Sequence, residues 1–454
     1  MIVNLTRWTS VIRQRIHSWL ILGFVTLTVV HLAIWAIILL EEGPSLYVRH
    51  HTDFLHILTG ALIVHEGHGA QLYELEQQRT AQNAILAPYL SLEPGMILPY
   101  NHPPFEAILV APLLKLPYPV LFALWDLLAL AAVGVSMWLL LRVLPLSAPA
   151  RALMIAAVLS YHPLHIALWS GQTSPLLLLG AVGVYVAMKQ RSEIWVAVAL
   201  LPLTLKPQIL PPLLLFLILL QYWRSLALWL GILGLGSIAA MPILGFGWPI
   251  QYLHFVSEAS QLGELAYTDA SHMPTLRGVL ANLASERLQY LVMPLALTCA
   301  GVGLVLIGVL WFRSRSTLRP TPPGVYGTFD CLWGATVLIA TVTAIHLGPH
   351  DLLLLLPSVW IGVATLFATR SEHVLYPRLV YGALIGLYSI PLLMLFSPRA
   401  VVLLLIPALA LVKSLARSIL HAAKNPDKFV VWQGGQSTQE IDESHMLTSP
   451  LPRL

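Results

Sequence analysis

Polar residues that can move protons or bind anions stand at six sites in the connections between the apolar runs of this sequence. They are Asp53; Asn101 and His102; Gln172; Lys206; Arg277; and the group His346, His350 and Asp351. Aspartate and histidine serve as general bases and acids, and the ammonium of a lysine binds a phosphate as a compact point charge. The set predicts acid–base chemistry on an anionic substrate, provided that the fold brings these connections together.

The composition indicates that membrane helices must position these residues. The chain has 454 residues, of which 57% are hydrophobic and only 10% charged. A soluble protein carries about 25% charged residues, so most of this surface must face lipid. The net charge of +4 then reflects membrane topology, and no nucleic-acid partner is expected. Cys299 and Cys331 lie in apolar runs and predict no disulfide.

The apolar runs predict an all-α, polytopic transmembrane bundle of roughly twelve spans, since about 20 apolar residues cross the hydrocarbon. The run from Trp19 to Leu40 is too long for a signal-peptide core and is expected to remain as the first span. Further spans are expected near 118–141, 152–168, 173–188, 193–205, 208–222, 225–245, 290–312, 331–346, 352–369, 377–396 and 400–416. The short run 105–116 is expected to be interfacial or re-entrant.

This pattern predicts a membrane domain over residues 1–420 and a disordered cytoplasmic tail over residues 421–454. The first outside loop, residues 41–104, is expected to hold short interfacial helices and to be catalytic.

The distribution of basic residues predicts the orientation of the chain. Arg7, Arg13 and Arg15 precede the first span, and the connections on the same side as these arginines carry more Lys and Arg than the opposite ones. The positive-inside rule therefore places both termini in the cytoplasm of a multi-pass plasma-membrane protein. All six polar sites then lie on the non-cytoplasmic face, where ionisable groups at membrane depth usually line a cavity.

Each polar residue also has a purely structural interpretation. Asp53 would be a solvated loop acid, Lys206 a snorkelling lysine, Gln172 a turn residue, and Asp351 an acid at a helix start. The spacing in His65-Glu66-Gly67-His68 resembles a metal site, but H-x-x-H alone is a weak signal, and a loop at the membrane interface is the favoured interpretation. These alternatives stay open on spacing alone.

The sequence contains no G-x-G-x-x-G, no P-loop and no G-x-S-x-G motif, so it offers no recognisable nucleotide site. An outside active site would also lack cytosolic nucleotide donors. A lipid-phosphate donor, delivered within the membrane, would solve that supply problem.

At the polar residues described above, and in the short motifs around them, the sequence resembles glycosyltransferase family 87. The members of this family are polytopic enzymes that take mannose or a related sugar from a polyprenyl phosphate. The resemblance covers about residues 20–370. It rests on Asp53-Phe54 followed by Gly69 and Leu72-Tyr73; on Tyr100-Asn101-His102-Pro103-Pro104-Phe105 with Leu116-Pro117 and Leu124-Trp125; on Gly171-Gln172; on Leu205-Lys206-Pro207-Gln208; and on His350-Asp351-Leu352. Two positions depart from the family pattern. Thr173-Ser174 follow the Gly-Gln pair where the family often has an asparagine, and His350 stands where a tyrosine commonly precedes the late aspartate.

The resemblance implies a C-type glycosyltransferase fold and inverting transfer to a lipid or glycan acceptor. Asp53 would be the general base, and Lys206, Arg277 and His350 would bind the donor phosphate. The residues expected at the sugar or acceptor are His102, Asn101, Gln172 and Asp351. No metal and no cofactor are expected, because a lipid-monophosphate leaving group does not require a divalent ion and Asp53 is not part of a D-x-D pair.

Two other functions are compatible with the sequence. A proton-coupled transporter would also bury Lys, His and Asp between broken helices, although the polar residues here gather at one face and no repeated halves are visible. An inactive membrane scaffold of the same fold is the other.

Overall fold

The chain folds almost entirely into helices, as its apolar runs predict. The computed structural model describes residues 2–42, 52–87, 97–259, 270–316, 318, 320, 323, 325–368, 377–394, 396–424, 432–433 and 436–437. Most of the tail at 421–454 and residues 43–51 and 88–96 of the first outside loop lie outside these ranges. Within the described tail, Trp432–Gln433 pairs in antiparallel fashion with Gln436–Ser437.

The α-helices, in chain order, are α1 (Ile2–Glu42), α2 (Thr52–His65), α3 (Leu75–Leu86), α4 (Phe105–Val110), α5 (Tyr118–Val143), α6 (Ala148–Leu159), α7 (His162–Ser170), α8 (Ser174–Lys189), α9 (Glu193–Leu200), α10 (Leu210–Leu219), α11 (Trp223–Leu244), α12 (Trp248–Ala259), α13 (Leu276–Leu283), α14 (Val292–Ser314), α15 (Thr328–Thr343), α16 (Leu356–Ala368), α17 (Pro377–Leu393) and α18 (Val401–Lys424). Short 3₁₀ segments cover Gly69–Gln71, Ala111–Lys115, Pro202–Leu205, Pro207–Ile209, Ala270–His272, Glu286–Leu291, Pro349–Leu355 and Pro398–Ala400.

Several helices have the length and composition of membrane spans. Among the described residues, 5 helices are long and apolar enough to cross a membrane, and α6 with α7 would make a further span bent by 43°. Pro163 stands in the first turn of α7, where a proline ends the preceding helix because it lacks an N–H group. Other apolar helices have 10–17 residues, so the number of spans stays a prediction.

The core of the bundle surrounds α15. Every residue from Thr328 to Val342 is buried, and a helix that is apolar on all sides must be enclosed by other helices. Helices α10, α14, α16 and α18 pack against it. By contrast, α1 keeps most of its apolar residues from Trp19 to Leu40 exposed, as expected for a surface that lipid covers.

The described part of the segment between α1 and α4 is ordered around two buried glutamines of α3. The amide of Gln78 accepts a hydrogen bond from the backbone N–H of Tyr100 (2.8 Å) and donates one to the Leu72 carbonyl (2.8 Å). Gln82 likewise accepts from the N–H of Leu98 (3.1 Å). These bonds satisfy the backbone of an extended segment that has no sheet partner, and they place the following residues, from Asn101 onward, against α2.

Candidate functional site

Breaks in three helices bring polar side chains together at one end of α8. Gly171 ends α7 in a left-handed conformation (φ +66°), which glycine adopts without strain. Lys206 separates two 3₁₀ segments because the residue before a proline disfavours helical dihedrals, and its φ and ψ are −128° and 79°. Asp351 lies in the first turn of the 3₁₀ segment that precedes α16.

An ion pair between Lys206 and Asp351 is the centre of this site. The ammonium lies 2.7 Å from each carboxylate oxygen. The same nitrogen lies 3.4 Å from Nε2 of His350 and 3.5 Å from Oε1 of Gln172. Four of the residues singled out in the sequence, from three distant segments, therefore lie together around one cation.

The carboxylate of Asp351 also makes hydrogen bonds to groups other than Lys206. Its carboxylate accepts hydrogen bonds from the Ser174 hydroxyl (2.6 Å) and from the N–H of Gly348 (2.9 Å). Burial by itself would raise the pKa of Asp351, but the charges of Lys206 and His350 hold that pKa well below its usual range. The side chain of Asp351 is 0% exposed, against 9% for Lys206 and 12% for His350. The fully buried Asp351 thus holds the Lys206 ammonium in place, and Lys206 and His350 are the members of the group that remain partly accessible.

A second cluster, formed by His56, His102 and Glu106, lies beside the first. All three residues are buried, and Nδ1 of His102 lies 2.5 Å from a carboxylate oxygen of Glu106. The rings of His56 and His102 meet edge to face with centroids 4.7 Å apart. Burial, and then the charges of His102, Lys206 and His350, lower the pKa of His56 well below its ordinary value. The two clusters therefore share one electrostatic environment.

Asp53 lies in the first turn of helix α2, and the packing of its neighbour Phe54 brings that helix against the Gly171-Gln172 turn. A Cβ placed on Gly171 would lie 2.6 Å from the Cβ of Phe54, so the two backbones approach as closely as only glycine allows. Phe54 also packs against the Phe122 ring of α5, with centroids 5.4 Å apart. Asp53 itself is half-buried.

Arg277 and His346 lie on the flank of the ion pair. The Arg277 guanidinium donates to the carbonyl of Ile345 (3.1 Å), and the amide of Gln208 donates to the carbonyl of His346 (2.8 Å). Burial, followed by the charge of Lys206, lowers the pKa of His346 to about 4. Arg277 thus contacts the chain that leads into the His350-Asp351 segment. Asn101 is half-buried next to His102, whose carbonyl accepts a hydrogen bond from the Tyr73 hydroxyl (3.1 Å).

A cavity of about 530 Å³ extends from this region between α4, α5 and α11. Apolar side chains form most of its wall, and Glu106 and Thr204 are polar exceptions. Leu109, Leu124 and Leu128 line it and are also exposed on the outside of the bundle, so the cavity reaches the lipid-facing surface. Its wall includes Leu201 and Leu205, and Lys206 is the next residue in the chain.

Sequence reasoning missed several residues of the two clusters. His56 and Glu106 stand inside short apolar stretches, and a titratable residue in such a stretch is the signal that would have identified them. Ser174 stands out in the sequence only as a departure from the family pattern, and its hydrogen bond to Asp351 has no signature in sequence spacing.

Comparison with known proteins agrees with the resemblance. No curated protein and no solved structure matches the chain. Residues 100–324, about half of the chain, match the sequence model of glycosyltransferase family 87. The matched part includes His102, Gln172, Lys206 and Arg277, whereas Asp53 and the His350-Asp351 pair lie outside it. The resemblance read from the motifs is thereby confirmed, and the chain belongs to glycosyltransferase family 87, a family of membrane glycosyltransferases.

Proposed function

We propose that this membrane glycosyltransferase moves a sugar, most simply mannose, from a polyprenyl phosphate to a lipid or glycan acceptor. The observation that carries the proposal is an apolar cavity whose wall includes Leu205, the residue directly before Lys206, and Glu106 of the second cluster. A long isoprenoid chain fits an apolar cavity that opens to the lipid, and the phosphate at its end needs a fixed cation. The reaction takes place on the non-cytoplasmic face of a C-type glycosyltransferase fold, with both termini in the cytoplasm.

In the proposed reaction, a hydroxyl oxygen of the acceptor attacks the anomeric carbon of the donor sugar. The new carbon–oxygen bond forms as the bond from that carbon to the phosphate oxygen breaks, which inverts the configuration. The acceptor proton passes to the carboxylate of Asp53, the general base. The electron pair leaves with the polyprenyl phosphate, whose negative charge Lys206, His350 and Arg277 stabilise.

Asp351 is a positioning residue in this scheme. Sequence reasoning assigned it to sugar or acceptor binding, but its carboxylate is occupied by Lys206, Ser174 and Gly348. A lysine held at 2.7 Å from both oxygens keeps its orientation before the donor arrives. Gln172, His102 and Asn101 are left to orient sugar hydroxyls or the acceptor.

The test is transfer of radiolabelled mannose from polyprenyl-phosphate-mannose to membrane lipid extracts by the purified protein in liposomes. Asp53→Asn should lower the transfer rate about 10²- to 10⁴-fold, the usual contribution of a general base. Glu74→Gln removes an exposed acid from the same loop and should retain wild-type transfer. Equal rates for wild type and Asp53→Asn would remove Asp53 as the base. Accumulation of unreacted sugar inside the liposomes without product would favour a transporter.

A further inference from the structure

We propose that His56, His102 and Glu106 bind a divalent transition-metal ion of the zinc type. One ligand atom from each residue lies within 4.8 Å of the other two, and all three residues are buried. An ion with bonds of about 2.0–2.2 Å to imidazole nitrogen and carboxylate oxygen holds its ligand atoms somewhat closer together than this upper limit. Small movements of the side chains would complete the coordination.

Two atoms of the cluster are buried without the partners that polar atoms normally have. Within the described part of the chain, neither Nε2 of His56 nor Oε2 of Glu106 has a hydrogen-bond partner. A buried polar atom left in that state costs free energy and calls for an explanation. A cation bound by both atoms supplies the missing interaction.

The contact between His102 and Glu106 is compatible with the same ion. A hydrogen bond joins their nitrogen and oxygen atoms, 2.5 Å apart, and that distance is too short for two ligands of one metal ion. A metal ion bound by both groups would replace this hydrogen bond and move the two atoms apart.

The three ligands are held by rigid parts of the fold. His56 lies within α2 and Glu106 within the first turn of α4. His102 follows the extended segment that Gln78 and Gln82 hold in place. Ligands on supported elements need little reorganisation to bind an ion, and support of this kind characterises real metal sites.

The donor set selects the class of metal. Two imidazoles and one carboxylate suit Zn²⁺ and related transition metals, whereas Mg²⁺ and Ca²⁺ prefer oxygen ligands throughout. Nearby Lys206 does not exclude a cation, because Asp351 at 2.7 Å compensates its charge. The expectation of no metal rested on the lipid-monophosphate leaving group and on the absence of a D-x-D pair at Asp53, and neither reason concerns His56 or Glu106.

Three protein ligands leave a coordination position open, as in catalytic zinc sites. Glu106 also lines the apolar cavity, so the bound ion would lie at the wall of the space that the lipid donor is proposed to enter. An oxygen of the donor phosphate or of the acceptor is the ligand that this position would take. This last step rests on the proposed function, while the metal site itself does not.

The experiment uses the full-length protein in detergent, stripped with a chelator and then titrated with Zn²⁺. We expect one zinc per chain by elemental analysis. His56→Gln and Glu106→Gln should each weaken zinc affinity by at least ~10- to 100-fold, a loss that even removal of a group supporting a metal ligand produces. His254 and Glu258 provide a matched control, because they are also four residues apart, lie 4.0 Å from each other and are exposed. His254→Gln and Glu258→Gln should bind zinc as the wild type does.

Co²⁺ gives a second readout that needs no variant to fold. Bound to this site in the wild-type protein, it should show the intense visible absorption of a four- or five-coordinate ion rather than the weak bands of the hydrated ion. Absence of stoichiometric zinc and of this spectrum in the wild type would overturn the proposal, as would unchanged affinity in both ligand variants. Stoichiometric zinc supports the site whether or not mannose transfer is observed, so failure of the donor proposal is recognised separately.

Discussion

The ammonium of Lys206 lies 2.7 Å from both carboxylate oxygens of Asp351, at a separation of 145 positions in the sequence. A similar pair stands at the far end of α8, where Lys189 donates to Asp330 at 2.6 Å. In both pairs the aspartate also accepts from the N–H of a glycine three residues earlier, Gly348 or Gly327. Helix α8, with 16 residues or about 24 Å of length, thus runs between two buried lysine–aspartate pairs.

The two pairs allow a matched test of what Asp351 does. Asp351→Asn and Asp330→Asn each leave a buried ammonium without its counterion, so we expect each to lower stability by about 3–5 kcal/mol. Only Asp351→Asn should also raise the KM for the polyprenyl-phosphate donor, because only Lys206 lies at the proposed donor site. Thermal unfolding in detergent measures the first effect, and initial transfer rates measure the second.

An exposed pair serves as the control for stability. Arg79 and Glu76 lie 2.9 Å apart but are exposed, and Glu76→Gln should cost no more than about 1 kcal/mol. If Asp330→Asn raised the donor KM as much as Asp351→Asn at the same folded fraction, the special role of the Lys206–Asp351 pair would be lost.

Gly171 is predicted to be needed for both its dihedral angles and its size. Gly171→Ala forces an L-residue into the left-handed region, at about 1–2 kcal/mol, and drives a methyl group into Phe54, at about 1–3 kcal/mol. Because α2 carries Asp53, we expect loss of transfer as well as of stability. Unfolding midpoints and transfer rates are the measurements.

Gly67 separates these two contributions. It also has a positive φ (+80°), but a Cβ there would meet no atom within 4 Å. Gly67→Ala should therefore show only the cost of the dihedral angles and should retain transfer. Equal losses in the two variants would mean that contact with Phe54 is irrelevant.

The apolar cavity is predicted to determine preference for the donor chain. Gly236 lines the cavity, and a Cβ there would lie 3.3 Å from the Phe105 ring. Gly236→Leu should displace part of a bound isoprenoid. Loss of burial for two methylene groups, at about 0.8 kcal/mol each, corresponds to a KM about tenfold higher. The effect should shrink for donors with short chains that do not reach this wall.

Gly231 provides the control on the same helix. A Cβ at Gly231 would meet no atom within 4 Å, so Gly231→Leu should leave the KM for every donor unchanged. If Gly236→Leu leaves the KM for the long-chain donor unchanged, that result would argue against an isoprenoid in this cavity.

The helical class and the family were predictable from the sequence because both depend on signals that are local. Apolar runs are read directly as helices, and motifs such as Leu205-Lys206-Pro207-Gln208 are contiguous. The Lys206-Pro207 step even indicated a helix break, and the structure has one. The hydrogen-bond partners of the site residues could not be predicted in this way. For example, the hydrogen bond from Ser174 to Asp351 joins residues 177 positions apart in the sequence.

Span number and the His56–His102–Glu106 cluster illustrate why the rest was not predictable. Helix length does not determine the number of spans in a bundle that contains apolar helices of 10–17 residues. Such helices can cross the membrane, form re-entrant segments or pack inside the protein. Glu106 looked like one charge in a short interfacial run, and only the packing of α4 against α2 brings it to His102 and His56. Clusters of this kind are products of tertiary packing rather than of spacing.

The last prediction concerns acid stability and His346. The pKa of this histidine is about 4 in the folded protein because of burial, and 6.5 is its ordinary value. Between these values the unfolded chain takes up a proton that the folded chain does not, so stability falls as the pH is lowered through this range and is unaffected above it. The unfolding midpoint of His346→Gln should therefore fall less than that of the wild type as the pH is lowered from 6.5 to about 4. Above pH 6.5 the midpoints of the two proteins should show the same dependence on pH. His254→Gln, which removes an exposed histidine, should follow the wild type throughout, and an equal acid-induced loss in wild type and His346→Gln would contradict the assignment.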